Sequence, residues 1–281
     1  MRFEIVTIFP GFFAGIFENG ILRRALAEGL VTVGVRDLRT FTHDRHRTVD
    51  DRPFGGGEGM VLKAEPLAEA LASLGIKPKT ERESGGDAAA GTRVILLSAQ
   101  GRRFTQAMAR ELAGLGSAKL DRVVLICGRY EGVDERINEL YCDMELSIGD
   151  YVLSGGELAA AVVVDAVMRL IPGVLGNEAS GEFESFGVAD AEITSDAEGV
   201  PRSQHGAGGL LDYPHYTRPA EFGGMRAPEV LMNGDHLQIR RWRREQQLRK
   251  TLANRPDLLE GAALSAEDRR LLEAIRAKSG G

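Results

Sequence analysis

Cysteine is nearly missing from this chain, which has only Cys127 and Cys142 among its 281 residues. They lack the Cys-x-x-Cys spacing of a redox or zinc motif, so neither a disulfide framework nor a structural zinc site is expected. Long hydrophobic runs are missing as well. No stretch approaches the roughly 18 apolar residues of a membrane span, and the start, MRFEIVTIFP, has no basic segment, long apolar core or small-residue cleavage site. The expectation is a cytoplasmic protein without a membrane partner. An excess of positive charge is also lacking: 35 Lys and Arg face 41 Asp and Glu, a net charge of -6. Overall charge therefore does not announce a nucleic-acid binder.

What is present is enough apolar residue, 43% of the chain, to bury a core in one large domain or two smaller ones. Phe3 to Phe9 alternates, Gly11 to Gly29 has apolar residues at helical spacing and Leu30 to Val35 reads as a strand, which makes a β-α-β start. Arg39 to Gly59 follows as a long loop ending in glycines, then a helix over Glu65 to Leu74. Glu81 to Gly91 has no apolar anchor and reads as a surface insertion without chemistry.

Three strand-like runs then lead through polar, small-residue loops into helices. RVILLS (Arg93 to Ser98) passes through Ala99, Gln100 and Gly101 into a helix over Phe104 to Leu115. DRVVLIC (Asp121 to Cys127) passes through GRYEG (Gly128 to Gly132) into a helix over Asp134 to Tyr141. Met144 to Ile148 passes through GDYVLSGG into the apolar helix Glu157 to Ile171, stopped by Pro172 and Gly173. Strands alternating with helices imply an α/β fold with a parallel sheet covered on both faces. Ligands bind beyond the carboxyl ends of such strands, so these three loops should line one crevice.

Glycines there allow close backbone approach and positive φ, or simply make tight strand-to-helix turns. No GxxxxGK(S/T) occurs, and no GxGxxG opens a helix directly after a strand. Both absences argue against a nucleoside triphosphatase and an ordinary dinucleotide dehydrogenase. A nucleoside-type ligand without a pyrophosphate remains.

From Gly176 to Gly209 acids dominate and no period is visible, which reads as a flexible linker. Beyond it lies a helical tail, with Asp235 as N-cap for Leu237 to Ala253 and Ser265 with Asp268 at capping-box spacing. RRWRREQQLRK (Arg240 to Lys250) is the densest basic run, and Arg36 to Arg52 is a second, mixed with aspartates. Either is a solvated face or an RNA surface. Trp242 packs its helix onto the tail's core or stacks on a base. His43, Asp44 and His46 lie among arginines that oppose a cation, which favours an RNA-facing or dimer-facing loop over a metal site.

Six segments in order, FTHDRHRTVDDRPFGGGEGM (Phe41 to Met60), LLSAQG (Leu96 to Gly101), CGRYEGVDER (Cys127 to Arg136), SIGDYVLSGGE (Ser147 to Glu157), IPGVLG (Ile171 to Gly176) and LLDYPHYTRP (Leu210 to Pro219), resemble the bacterial tRNA (guanine-N1)-methyltransferase family. The resemblance implies a trefoil-knotted α/β catalytic domain over 1–175, a linker over 176–209 and a helical tRNA-binding domain over 210–281. It implies a homodimer that transfers a methyl group from S-adenosylmethionine to N1 of the guanosine immediately 3′ of the anticodon. The cofactor would contact Leu96, Leu97, Ser98, Gln100 and Gly101; Gly128, Tyr130 and Gly132; and Ser147, Ile148, Gly149, Asp150, Tyr151, Val152, Leu153, Gly155 and Gly156.

The general base corresponds to Asp212 and the guanine O6 partner to Arg169; on their own they read as a turn residue before Pro214 and a helix-end cation. Glu131 would hold the guanine or a Mg2+ ion, while Arg240, Arg241, Arg243 and Arg244 would meet tRNA. Ala99 and Ala159 stand where the family usually has proline, Phe54 where tyrosine is common and Glu58 where proline is. The rival readings are a related knotted methyltransferase acting on another RNA site, a non-catalytic RNA-binding protein using Arg240 to Lys250, and a divergent dehydrogenase.

Overall fold

The computed structural model describes residues 1–84, 91–116, 120–176, 181, 184–187 and 207–279. The chain forms two compact units, Met1–Gly176 and Asn177–Gly281.

The first unit is built on five parallel strands in the order β2-β1-β6-β5-β7. These are β1 (Arg2–Thr7), β2 (Thr32–Asp37), β5 (Thr92–Arg103), β6 (Arg122–Cys127) and β7 (Met144–Ser147); the short β3 (Asp50–Asp51) and β4 (Val61–Leu62) pair separately, antiparallel. Side chains alternate across a strand, and here the two parities serve two cores. Val123, Leu125 and Cys127 face a cluster with Phe3, Ile5, Ile95 and Leu97. Val124 and Ile126 face the opposite cluster with Val6, Val94 and Leu96. A continuous run such as RVVLIC is therefore apolar because both its faces are covered.

Helices α1 (Gly20–Ala27), α4 (Gln106–Arg110) and α6 (Glu157–Met168) supply Ala25, Met108 and Val163, Val164 and Val167 to the first cluster. Helices α2 (Ala64–Ser73) and α5 (Glu135–Tyr141) supply Leu67, Leu71 and Ile137 to the second. Caps set the starts. Thr105 accepts from Met108 N at 3.3 Å before α4, and Asp134 accepts from Arg136 N at 3.1 Å before α5.

Two expectations need correction. Ala99 to Gly101 are not a plain loop: β5 runs through them, and both Leu97 and Arg102 pair with Leu146 across a shift in register. The expected surface insertion begins as α3 (Lys79–Ser84), and its anchor is polar. Arg82 donates to Asp143 Oδ2 at 3.1 Å and to the Tyr141 carbonyl at 2.6 Å. Residues 85–90 lie outside the described residues.

The second unit is helical: α7 (His236–Asn254), α8 (Asp257–Glu260) and α9 (Ala266–Ser279), preceded by the two-stranded ribbon β8 (Glu221–Phe222) and β9 (Met225–Arg226). Leu210, Leu248, Leu272 and Ile275 form its core. Both expected caps are present. Asp235 Oδ1 accepts from Leu237 N at 3.0 Å and Gln238 N at 3.1 Å. Ser265 and Asp268 exchange bonds, Ser265 N to Asp268 Oδ2 at 3.0 Å and Asp268 N to Ser265 Oγ at 3.1 Å.

Most of the segment read as a flexible linker lies outside the described residues. Its described ends are hydrogen-bonded: Phe186 N donates to Leu210 O at 2.8 Å and Gly209 N to Gly187 O at 3.0 Å.

Candidate functional site

Beyond the carboxyl ends of β5, β6 and β7, three loops enclose a crevice of about 330 Å³. Leu97, Ser98, Ala99 and Gln100 form one wall, Gly128 to Gly132 another, and Ser147 to Gly156 (without Asp150) the third, over a floor that includes Leu146 and Ala159. The volume and mixed lining suit a nucleoside-sized ligand. The crevice lies where strand polarity placed it.

Backbone geometry explains the glycines. A Cβ on Gly156 would stand 2.7 Å from Cys127 Cα, because Gly156 N donates to Gly128 O at 2.9 Å and draws the start of α6 onto the end of β6. Gly132 takes φ +132°, a conformation that side chains rarely adopt. Tyr130 has φ 59°, so the GRYEG loop turns tightly enough to present main chain to the crevice. Ser147 stiffens the third loop: its hydroxyl donates to Gly149 O at 2.9 Å and accepts from Gly149 N at 3.2 Å.

Three residues expected at the cofactor lie off the crevice wall. Leu96 points by strand parity into the opposite core and is 5% exposed. Gly101 packs on β7, where a Cβ would collide with the backbone of Glu145 and Leu146, so strand contact alone requires its glycine. Asp150 turns outward, 81% exposed, and pairs with Arg103.

Arg129, Ser154, Leu146 and Ala159 line the crevice although none of them is among the expected cofactor contacts. Arg129 is the most consequential. Its Nε donates to Glu157 Oε2 at 2.9 Å and its Nη1 to the Ser154 carbonyl at 2.9 Å, while its guanidinium lies 4.5 Å from the centre of the Phe9 ring. Glu157 is 1% exposed and also accepts from the Thr7 hydroxyl at 2.7 Å. One buried ion pair thus joins the ends of β1 and β6 to the third loop and α6. The sign of such a clamp in sequence is an Arg inside a glycine loop and a Glu at a helix start, each ordinary alone.

Glu131 lies on the crevice wall, exposed, with its N–H donating to Met60 O at 3.0 Å. The long loop ending in PFGGGEGM therefore borders the second wall. Arg169 caps the C-terminal end of α6 and is half-buried. It does not line the crevice, which meets the other end of that helix.

In the second unit, Leu210 is buried and Leu211 N donates to Thr251 Oγ1 of α7 at 3.0 Å, which anchors the LLDYPHYTRP segment. Asp212 follows, 22% exposed. Its Oδ1 accepts from Tyr213 N at 2.7 Å, and His215 Nε2 stands 3.0 Å from Oδ2. Burial raises the Tyr213 hydroxyl above its ordinary pKa, with Asp212 adding to the rise and Arg243 opposing it.

The basic run is only partly a free face. Arg244 is committed to the tail's interior: its Nε donates to Asp268 Oδ1 at 2.7 Å and its Nη2 to Oδ2 at 3.0 Å, with both side chains nearly buried. That pair sets Arg244 apart from the exposed Arg240 and Arg241 of the same run. Arg241 is exposed and lies 3.2 Å from Glu267, and Arg243 covers the Tyr213 ring at 4.9 Å. Arg240 is exposed. Trp242 is half-buried with its ring 6.2 Å from Tyr216.

A family model described as tRNA (Guanine-1)-methyltransferase TrmD matches residues 1–261. The chain belongs to that family. It is 57% identical over 277 residues to the tRNA (guanine-N(1)-)-methyltransferase of Koribacter versatilis, covering 99% of each chain. It is 48% identical over 276 residues to that of Dictyoglomus turgidum, covering 98% of this chain and 97% of the other. For Geobacter metallireducens the identity is 46% over 272 residues, with 97% and 96% covered. Of the departures from the family pattern, Ala99 and Ala159 both line the crevice, while Phe54 is 99% exposed.

Proposed function

We propose that this protein methylates N1 of the guanosine immediately 3′ of the anticodon in tRNA, with S-adenosylmethionine held in the crevice of the first unit. The observation that carries this reading is a nucleoside-sized crevice built by the family's motif loops, in a chain that matches the family over residues 1–261. Bound there, S-adenosylmethionine supplies an electrophilic methyl group. Its adenosine suits main-chain groups around Gly128, Gly132, Ile148 and Leu153 over the apolar floor of Leu146 and Ala159.

Guanine N1 carries a proton and is a poor nucleophile. Asp212 takes that proton, and Arg169 stabilises the negative charge developing on O6. A positioned base of this kind contributes about 10²- to 10⁴-fold in rate. Glu131, exposed on the crevice wall, contacts the guanine. Arg240, Arg241 and Arg243 meet the tRNA backbone, each phosphate contact adding to a salt-dependent affinity.

The reading includes a homodimer, a trefoil-knotted path in the catalytic domain over 1–175, a linker over 176–209, a tRNA-binding domain over 210–281 and a cytoplasmic location. Among the described residues, no helix is long and apolar enough to cross a membrane. Support for the dimer comes from α6: its 12 residues rise about 18 Å, which separates Arg169 from the crevice end by more than an arginine reaches. An Arg169 supplied by a partner would serve a guanine at the crevice that the chain's own Arg169, at the far end of α6, does not line. Among the described residues, no group of three or more His, Cys, Asp or Glu could hold a metal ion. A Mg2+ ion keeps most of its waters and needs only one or two carboxylates; Glu131 on the crevice wall would be the residue to hold it.

The test is transfer of labelled methyl from S-adenosylmethionine to unfractionated tRNA, with Asp212→Ala as control. Label in 1-methylguanosine, lost in the variant, is expected. An unchanged rate in the variant overturns the mechanism, and salt-dependent tRNA binding without transfer favours the non-catalytic reading.

A further inference from the structure

The carboxylate of Asp212 has a neighbour that the mechanism leaves unused. His215 Nε2 lies 3.0 Å from Oδ2, while the Tyr213 N–H donates to Oδ1 at 2.7 Å. Among the described residues each oxygen thus has one protein partner and keeps acceptor capacity for a substrate proton. The His215 side chain is 69% exposed, so its ring exchanges protons with solvent, whereas Asp212 is 22% exposed. Among the described residues, the His215 ring also meets that of Tyr213 at 4.7 Å and 46°, and Arg243 of α7 is stacked on Tyr213. The ring is therefore held on one edge by the carboxylate and on one face by Tyr213.

We propose that His215 is a positioning residue for the base: its N–H fixes the Asp212 carboxylate toward the guanine, and its protonation state sets how strong a base that carboxylate is. This rests on the reading of Asp212 as general base. In the reaction the N1–H bond breaks and its proton passes to Asp212. The N1 electron pair forms the bond to methyl, the S–CH3 bond breaks with its electrons left on sulfur, and the proton on Asp212 is then lost to water. A neutral imidazole donates one hydrogen bond and leaves the carboxylate basic. An imidazolium adds a positive charge beside it, which stabilises the charged carboxylate and weakens it as a base. The rate of the chemical step should therefore fall as acidification protonates the imidazole, followed from about pH 8 to pH 5.

The experiment is single-turnover methyl transfer to tRNA at saturating S-adenosylmethionine across that range, with His215→Gln, His215→Ala and Asp212→Asn. His215→Gln keeps an N–H donor of similar reach without titrating. It should retain the rate found at high pH and lose the fall on the acid side. His215→Ala should lose about tenfold or more in rate, the worth of a hydrogen bond to a charged group, with KM for S-adenosylmethionine unchanged. A His215→Gln profile that still falls like the wild type, or a His215→Ala variant with wild-type rate, overturns the proposal. Asp212→Asn separates the two ideas. If it stays active, the base assignment fails and this inference with it; if it is inactive while both His215 variants behave as wild type, only the role of His215 fails.

Discussion

Replacing Glu157 by alanine should loosen the cofactor crevice from beneath. The carboxylate is 1% exposed and its partner Arg129 is 17% exposed, so the substitution strands a guanidinium and deprives the Thr7 hydroxyl of its acceptor. Removing one partner of a buried pair costs about 3–5 kcal/mol. Arg129 keeps its bond to the Ser154 carbonyl and its place over Phe9, and it borders the open crevice, so about 3 kcal/mol is expected. For a unit spanning Met1–Gly176, each kcal/mol lowers Tm by roughly 2–4 °C, giving a fall of roughly 6–12 °C. Calorimetry reads this directly, and titration with S-adenosylmethionine should show weaker binding because Arg129 no longer ties the second loop to the start of α6. The double variant Glu157→Leu with Arg129→Leu should recover much of the stability, since apolar replacement of a buried pair is close to neutral. A Glu157→Ala protein melting within about 1 °C of wild type, or a double variant no better than the single, would refute the clamp.

Gly101→Ala drives a methyl group into the backbone of Glu145 and Leu146. A loss of at least about 2 kcal/mol in chemical denaturation is expected, and a neutral result contradicts the close approach of β5 and β7. Burial pushes the Cys142 thiol up to about 12 and holds Cys127 well above the ordinary thiol value. Neither should react with a thiol reagent at neutral pH until the protein unfolds; rapid native labelling of both would contradict their burial. For Asp268, burial acts to raise the pKa, but the bonds from Arg244 and Ser265 outweigh it, and the carboxyl sits below its ordinary 3.8. A depressed folded value gives stability that is complete above pH 3.8 and lost as pH falls through the folded value. Asp268→Asn should therefore flatten the acid-side loss of α-helical signal, and an unchanged acid transition shows that the Arg244 pair does not stabilise this unit.

Local signals carried far in this chain. RVVLIC declared a strand buried on both faces, and its two parities do feed two cores. Ser265 with Asp268 and Asp235 before α7 cap their helices as their spacing implied. Strand polarity alone placed three loops around one crevice. What could not be read depends on contacts between distant residues. Thr7 and Glu157 are 150 positions apart, and nothing local to either announces their bond. Gly101 needs its glycine for close approach to a neighbouring strand, which only the register reveals. Arg244 sits in a basic run whose members look alike until Asp268 is brought under one of them. The proposed base and O6 partner came from resemblance, since an Asp in a turn and an Arg at a helix end carry no chemistry in their spacing.

The most direct measurement is nucleoside analysis of unmodified tRNA after incubation with this protein and methyl-labelled S-adenosylmethionine. The expected result is label confined to 1-methylguanosine from the position 3′ of the anticodon, with none from the Asp212→Asn protein. Label on a ribose or on another base, or no label with the crevice saturated, would contradict the assignment of the crevice and of Asp212.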